Sequence, residues 1–69
     1  MKPNQQALFD ELPEEGTITY RELHQQLSST GKASLLREFH TMRREGLLYS
    51  VNDPDDAREL IVAREAPDA

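Results

Sequence analysis

The sequence predicts an α+β domain: three helices, one short strand and a C-terminal β-hairpin, in a single unit spanning residues 1–69. Three observations predict it. Apolar residues recur at helical spacing in three stretches, each closed by a turn containing Pro or Gly. A Thr-x-x-Glu signature opens the second stretch as a helix start. Two runs rich in Leu, Ile and Val flank Asn52-Asp53-Pro54-Asp55-Asp56, which is turn chemistry throughout.

The first helix is expected from Pro3 to Leu12. Pro3 suits an early position, where its missing N–H costs nothing, and Leu8, Phe9 and Leu12 form the apolar stripe. Pro13 to Gly16 ends it, and the β-branched pair Thr17-Ile18 predicts one small strand. Thr19 and Glu22 then form a capping box, in which each side chain satisfies a backbone donor of the other. Tyr20, Leu23 and Leu27 give the second helix its buried face, and it is expected to end near Leu27. Ser28-Ser29-Thr30-Gly31 is a turn, with Ser29 or Thr30 capping the third helix.

The third helix is expected from about Lys32 to Glu45. Leu35, Phe39 and Met42 supply its core line, Arg43 and Arg44 complement the dipole in its last turn, and Gly46 closes it. The predicted core stripe is Leu23, Leu27, Leu35, Phe39 and Met42. Leu47 to Val51 reads as a strand, Arg58 to Arg64 as its hairpin return, and 64–69 as a frayed tail.

Composition removes several function classes. There are no cysteines, which excludes disulfides and thiolate zinc sites, and the two histidines, His24 and His40, lie far apart in sequence without close carboxylate pairing, so no metal site is expected. No cofactor is expected, for no Gly-rich phosphate loop is present. No catalytic residue is assigned, because there is no nucleophile–base pair, and Asp53, Asp55 and Asp56 lack the Gly and distal Glu of a calcium loop. No signal peptide or membrane helix is visible, since the longest aliphatic run is Leu60-Ile61-Val62-Ala63; no membrane partner and a cytoplasmic location are expected.

The net charge is −5, which alone argues against a nucleic-acid partner. Its distribution argues the other way. Lys32, Arg37, Arg43 and Arg44 stand against Glu38 alone, a net +3 between Lys32 and Arg44, so the remainder carries −8.

Two helices joined by a short turn and followed by a β-hairpin resemble a winged helix-turn-helix. Ile18-Thr19-Tyr20-Arg21-Glu22-Leu23 is similar to the start of the first helix of that motif. Leu35, Phe39 and Met42 followed by Gly46-Leu47-Leu48 resemble the recognition helix and its exit, and Asp56-Ala57-Arg58 resembles the wing tip of multiple-antibiotic-resistance (MarR) regulators. The resemblance covers Leu8 to Val62 and implies a bare DNA-binding module without flanking dimerisation helices.

It further implies that the third helix enters the major groove of double-stranded DNA, as in a small transcriptional regulator. Lys32, Ala33, Ser34, Leu36, Arg37 and His40 would face the groove. Arg37 would bond a guanine, Lys32 and Arg44 would sit near phosphates, and Arg58 would touch the backbone from the wing. Leu36 departs from the pattern, standing where a small polar residue is usual; exposed, it would meet a thymine methyl or a protein. The wing is acidic, so Arg58 is its one expected contact. A second functional class stays open beside this one: a winged-helix protein-interaction module, or an acidic protein that occupies a partner's basic surface. With no heptads and no long terminal helix, a monomer or weak homodimer is expected.

Overall fold

The computed structural model describes residues 1–67, and these form an α+β arrangement of three helical segments against a three-stranded antiparallel sheet. Helix α1 runs Pro3–Asp10, with the Gln5 side chain accepting from the Lys2 backbone N–H. It stops short of the expected Leu12, although Leu12 still enters the core from the turn beyond. Strand β1 is Ile18–Thr19. Helix α2 is Tyr20–Ser29, longer than expected by the last turn.

Half of the expected capping box is present: the Glu22 N–H donates to Thr19 Oγ1 at 3.1 Å, but the reciprocal bond from the Glu22 carboxylate is not seen among the described residues. At its other end α2 closes on Gly31, whose φ of 73° is open to glycine and strained for other residues. The Lys32 N–H donates to the Leu27 carbonyl at 2.7 Å and the Gly31 N–H to Ser28 at 3.3 Å, the two bonds of a Schellman motif. Ser29 and Thr30, expected to cap the third helix, instead donate their hydroxyls to the Gln26 carbonyl of α2.

The third helix is the main departure. It begins as a 3₁₀ segment, Ala33–Glu38, and only then becomes α3, Phe39–Arg44. With Ser29 and Thr30 committed to α2, Lys32 is the N-cap and supplies no side-chain cap. The exit agrees with expectation. Gly46 adopts φ 75°, and its N–H and that of Leu47 donate to Arg43 and Met42, a second Schellman closure.

Strand β2 is Tyr49–Asp53 and β3 is Asp56–Ala63, both shifted from the expected bounds because Leu47 and Leu48 are used in the bend after Gly46 and the turn itself is only Pro54-Asp55. The sheet order is β1-β3-β2, with Ile18 opposite Val62 and Ser50 opposite Val62 from the other side. A bulge falls between Asn52 and Asp53.

The core lies between the helices and one face of the sheet. Leu8, Leu12, Leu23, Leu27, Phe39, Met42, Leu48 and Val62 are buried together. Four of the five stripe residues are therefore core, and Leu35 is half-buried at its margin. Tyr20 meets Phe39 edge-on, with ring centroids 4.9 Å apart.

The expected frayed tail requires correction at its start. Arg64 is half-buried, donates to the Leu12 carbonyl from Nε (3.1 Å) and Nη2 (3.0 Å), and lies over the Phe9 ring at 5.1 Å. It ties the end of β3 to the turn after α1, and its Nη2 also donates at 3.4 Å to the Asp10 carbonyl, which the end of α1 leaves open. Asp68 and Ala69 lie outside the described residues. Replacing Arg64 by Met keeps the stem over Phe9 and removes the carbonyl partners. This substitution is expected to cost about 1–2 kcal/mol, read as a lower urea midpoint at unchanged slope.

Candidate nucleic-acid interface

The seven residues expected to contact DNA divide into three groups. Ser34, Arg37, His40 and Arg44 are exposed along the third helix. The change from 3₁₀ to α geometry aligns them. In the 3₁₀ segment the chain turns about 120° per residue, so Ser34 and Arg37 eclipse each other; the about 100° steps of α3 then return His40 and Arg44 to nearly the same direction. Arg43 flanks this row, also exposed. None of Arg37, Arg43 and Arg44 forms an ion pair or side-chain hydrogen bond among the described residues. The His40 ring stands edge-on to Phe39, centroids 5.3 Å apart, which anchors the base of the exposed row to a core residue.

Leu36 requires correction. It is half-buried and packs on the core, so it is not the exposed leucine that was expected. The same geometry explains it. An α-helix would hold Leu35 near the centre of the buried face and leave Leu36 to one side. The wider 3₁₀ step swings Leu36 inward and Leu35 outward, so both end half-buried on opposite flanks of Phe39 and Met42.

Lys32 and Arg58 form the third group, cations that already have partners. Lys32 Nζ meets Glu11 Oε1 at 2.8 Å. Glu11 also accepts from Gln26 Nε2 at Oε2 (2.9 Å) and at its backbone carbonyl (3.2 Å). These bonds join the turn after α1, the middle of α2 and the entry to the 3₁₀ segment, so Lys32 serves to fix where the third helix starts. The hydrogen bond from Lys32, and after it that from Gln26, hold the Glu11 carboxyl below its ordinary value of 4.5. A lowered folded-state value stabilises the fold above the ordinary pKa, and this contribution is lost as pH falls through the lowered one. Glu11→Gln is therefore expected to melt below the parent at neutral pH, with the gap closing in acid below 4.5; thermal melts of both proteins across pH check this.

Arg58 stands at the hairpin end, with Nε 3.3 Å from Asp56 Oδ1. The packing partners of β3 are β2, β1 and α2, so the structure does not gather Arg58 into the helical row. The acidic residues of the hairpin shape its turn: Asp53 accepts from the Asp55 N–H at 2.9 Å and Asp56 from the Arg58 N–H at 3.1 Å.

Arg43, which the sequence suggests only as a partner of the helix dipole, is exposed beside the candidate row. Its adjacency to Arg44 in the last turn was the available signal. The roles of Glu11, Gln26 and Arg64 had no local signal, because their partners lie far away along the chain. Among the described residues no group of three or more His, Cys, Asp and Glu is placed to hold a metal, and no helix is long and apolar enough to cross a membrane.

No protein-family model, no curated protein and no solved structure matches this chain.

Proposed function

We propose that the protein is a winged helix-turn-helix module that binds double-stranded DNA, a small transcriptional regulator placing its third helix in the major groove. The element order helix–strand–helix–helix–strand–strand and the sheet order β1-β3-β2 support the winged-helix reading.

One observation carries the functional reading. The protein's cations are sorted. Arg21, Lys32, Arg58 and Arg64 are engaged with Glu59, Glu11, Asp56 and the Leu12 carbonyl. Among the described residues, and apart from Lys2 at the chain start, the cations without a side-chain partner are Arg37, Arg43 and Arg44, all exposed along the third helix beside Ser34 and His40. A row of guanidiniums with a hydroxyl at its start and an imidazole between Arg37 and Arg44 suits phosphates and guanine edges, which offer acceptors. The acidic remainder repels the duplex at longer range, so affinity is modest and depends steeply on salt.

The test is titration of mixed-sequence duplex DNA at about 50 mM salt, where electrostatic attraction is strongest. Binding that weakens as salt is raised is expected. No binding under these conditions overturns the reading and favours a protein partner for the same face.

A further inference from the structure

The 3₁₀ segment is held from outside. Ala33–Glu38 is six residues long, whereas 3₁₀ runs beyond about three or four residues are uncommon, because their hydrogen bonds are poorer than those of an α-helix. Nothing within the segment favours it: none of its residues is fully buried, and among the described residues its start has no side-chain cap. Both ends are fixed instead. At the near end the Lys32 N–H donates to the Leu27 carbonyl at 2.7 Å, and Lys32 Nζ meets Glu11 Oε1 at 2.8 Å. At the far end Phe39 is fully buried, and Gln5 Nε2 donates to Glu38 Oε2 at 3.4 Å.

The distance between those ends sets the helix type. Six residues advance about 12 Å at the 3₁₀ rise and only about 9 Å at the α rise. An α-helical segment would draw Lys32 about 3 Å toward Phe39 and pull it off Glu11. Glu11 is itself braced, because its other carboxylate oxygen and its backbone carbonyl both accept from Gln26 Nε2. The helix type in turn sets which side chains share the exposed face. Three 3₁₀ steps bring Ser34 over Arg37, whereas three α steps would leave it about 60° away and would turn Leu36 off the core. We propose that Glu11 is a positioning residue for DNA recognition: through Lys32 it keeps Ala33–Glu38 in 3₁₀ geometry, and so keeps Ser34 beside Arg37 on the groove-facing row. This rests on the DNA-binding reading, and it makes a residue that touches no base a determinant of which bases are read.

Glu11→Ala removes both carboxylate bonds, and Lys32→Met releases the same clamp from the other side while keeping the stem, so either variant decides should the other fail to fold. Without DNA, each is expected to show nuclear Overhauser contacts between Ser34 and Glu38, which α geometry brings together, and the parent to show none. The chain lacks cysteine, so single thiols report exposure: the labelling rate of Leu36→Cys relative to Leu35→Cys is expected to rise several-fold when the clamp is released. With DNA, Ser34→Ala is expected to weaken binding to a selected duplex about threefold or more in the parent and not at all in the released backgrounds. Loss of stability alone does not produce that coupling between distant residues. A 3₁₀ segment that persists in the released variants, or a Ser34→Ala penalty equal in parent and released backgrounds, overturns the proposal. A parent that binds no duplex at about 50 mM salt overturns the DNA-binding reading and with it the role of Glu11 in recognition, while the measurements without DNA separately decide whether Glu11 sets the helix type.

Discussion

Phe39→Ala is expected to remove about 3–5 kcal/mol of stability, the largest effect of any single substitution in this core. Phe39 is fully buried among Leu8, Leu23, Leu27 and Met42, and it is the residue at which the 3₁₀ segment becomes α3. Truncation leaves a cavity in the centre of the core and removes the edge-on contacts to Tyr20 and His40. A domain of this size has about 3–10 kcal/mol in total, so the variant is expected to be largely unfolded at 37 °C or close to it. Urea unfolding measures it. Phe39→Leu, which keeps most of the volume, should cost less than half as much, and Leu35→Ala, at the half-buried margin, about 1 kcal/mol. A Phe39→Ala protein that unfolds at the parental midpoint would show that the core lies elsewhere.

What could be read from the sequence was local. Helical spacing at Leu23, Leu27, Phe39 and Met42 reports a face because burial of that face is what selects the spacing, and the structure buries all four. Gly46 and Gly31 announce helix ends because each supplies the positive φ that a Schellman closure needs. Element ends were less legible. Ser29 and Thr30 have the chemistry to cap either neighbouring helix, and only the tertiary path decides that they finish α2 rather than start the next.

The candidate site was legible in its residues and not in their state. Charge counting treats Lys32 and Arg37 alike. The fold separates them, because Glu11 reaches Lys32 across 21 positions and, among the described residues, no ion pair or side-chain hydrogen bond reaches Arg37. The winged-helix resemblance places Leu36 outward, whereas in the structure it is half-buried, because the 3₁₀ segment has a wider turn angle per residue than an α-helix. Arg64 shows the same limit: its role depends on carbonyls of residues 10 and 12, brought to it by the sheet.

The sorting of cations makes the DNA-binding prediction sharper than charge alone allows. With Arg43 and Arg44 neutralising about two phosphates while Arg37 reads a base edge, log affinity should fall with log salt at a slope near −1.8, an about twelvefold loss between about 50 and 200 mM. Arg44→Ala should lower the slope by about one and weaken every sequence alike, as a phosphate contact does. Arg37→Ala, eclipsed with Ser34 at the centre of the row, should weaken a selected site by about 1–3 kcal/mol and relax discrimination at one base pair. Arg58→Ala should weaken all sequences uniformly if the hairpin end reaches the backbone, through a side chain that is 92% exposed. Lys32→Ala is the discriminating control. Its ammonium is held by Glu11, so its loss should lower the melting temperature while leaving the salt slope unchanged. Slopes are measured by fluorescence anisotropy on one duplex across a salt series, with the bound sequence first selected from a random pool. A Lys32→Ala slope reduced as much as that of Arg44→Ala would show that the Glu11 pair opens on binding and that the two cations are equivalent toward the phosphates. Parental slopes for both Arg37→Ala and Arg44→Ala would place the phosphate contact off this helix.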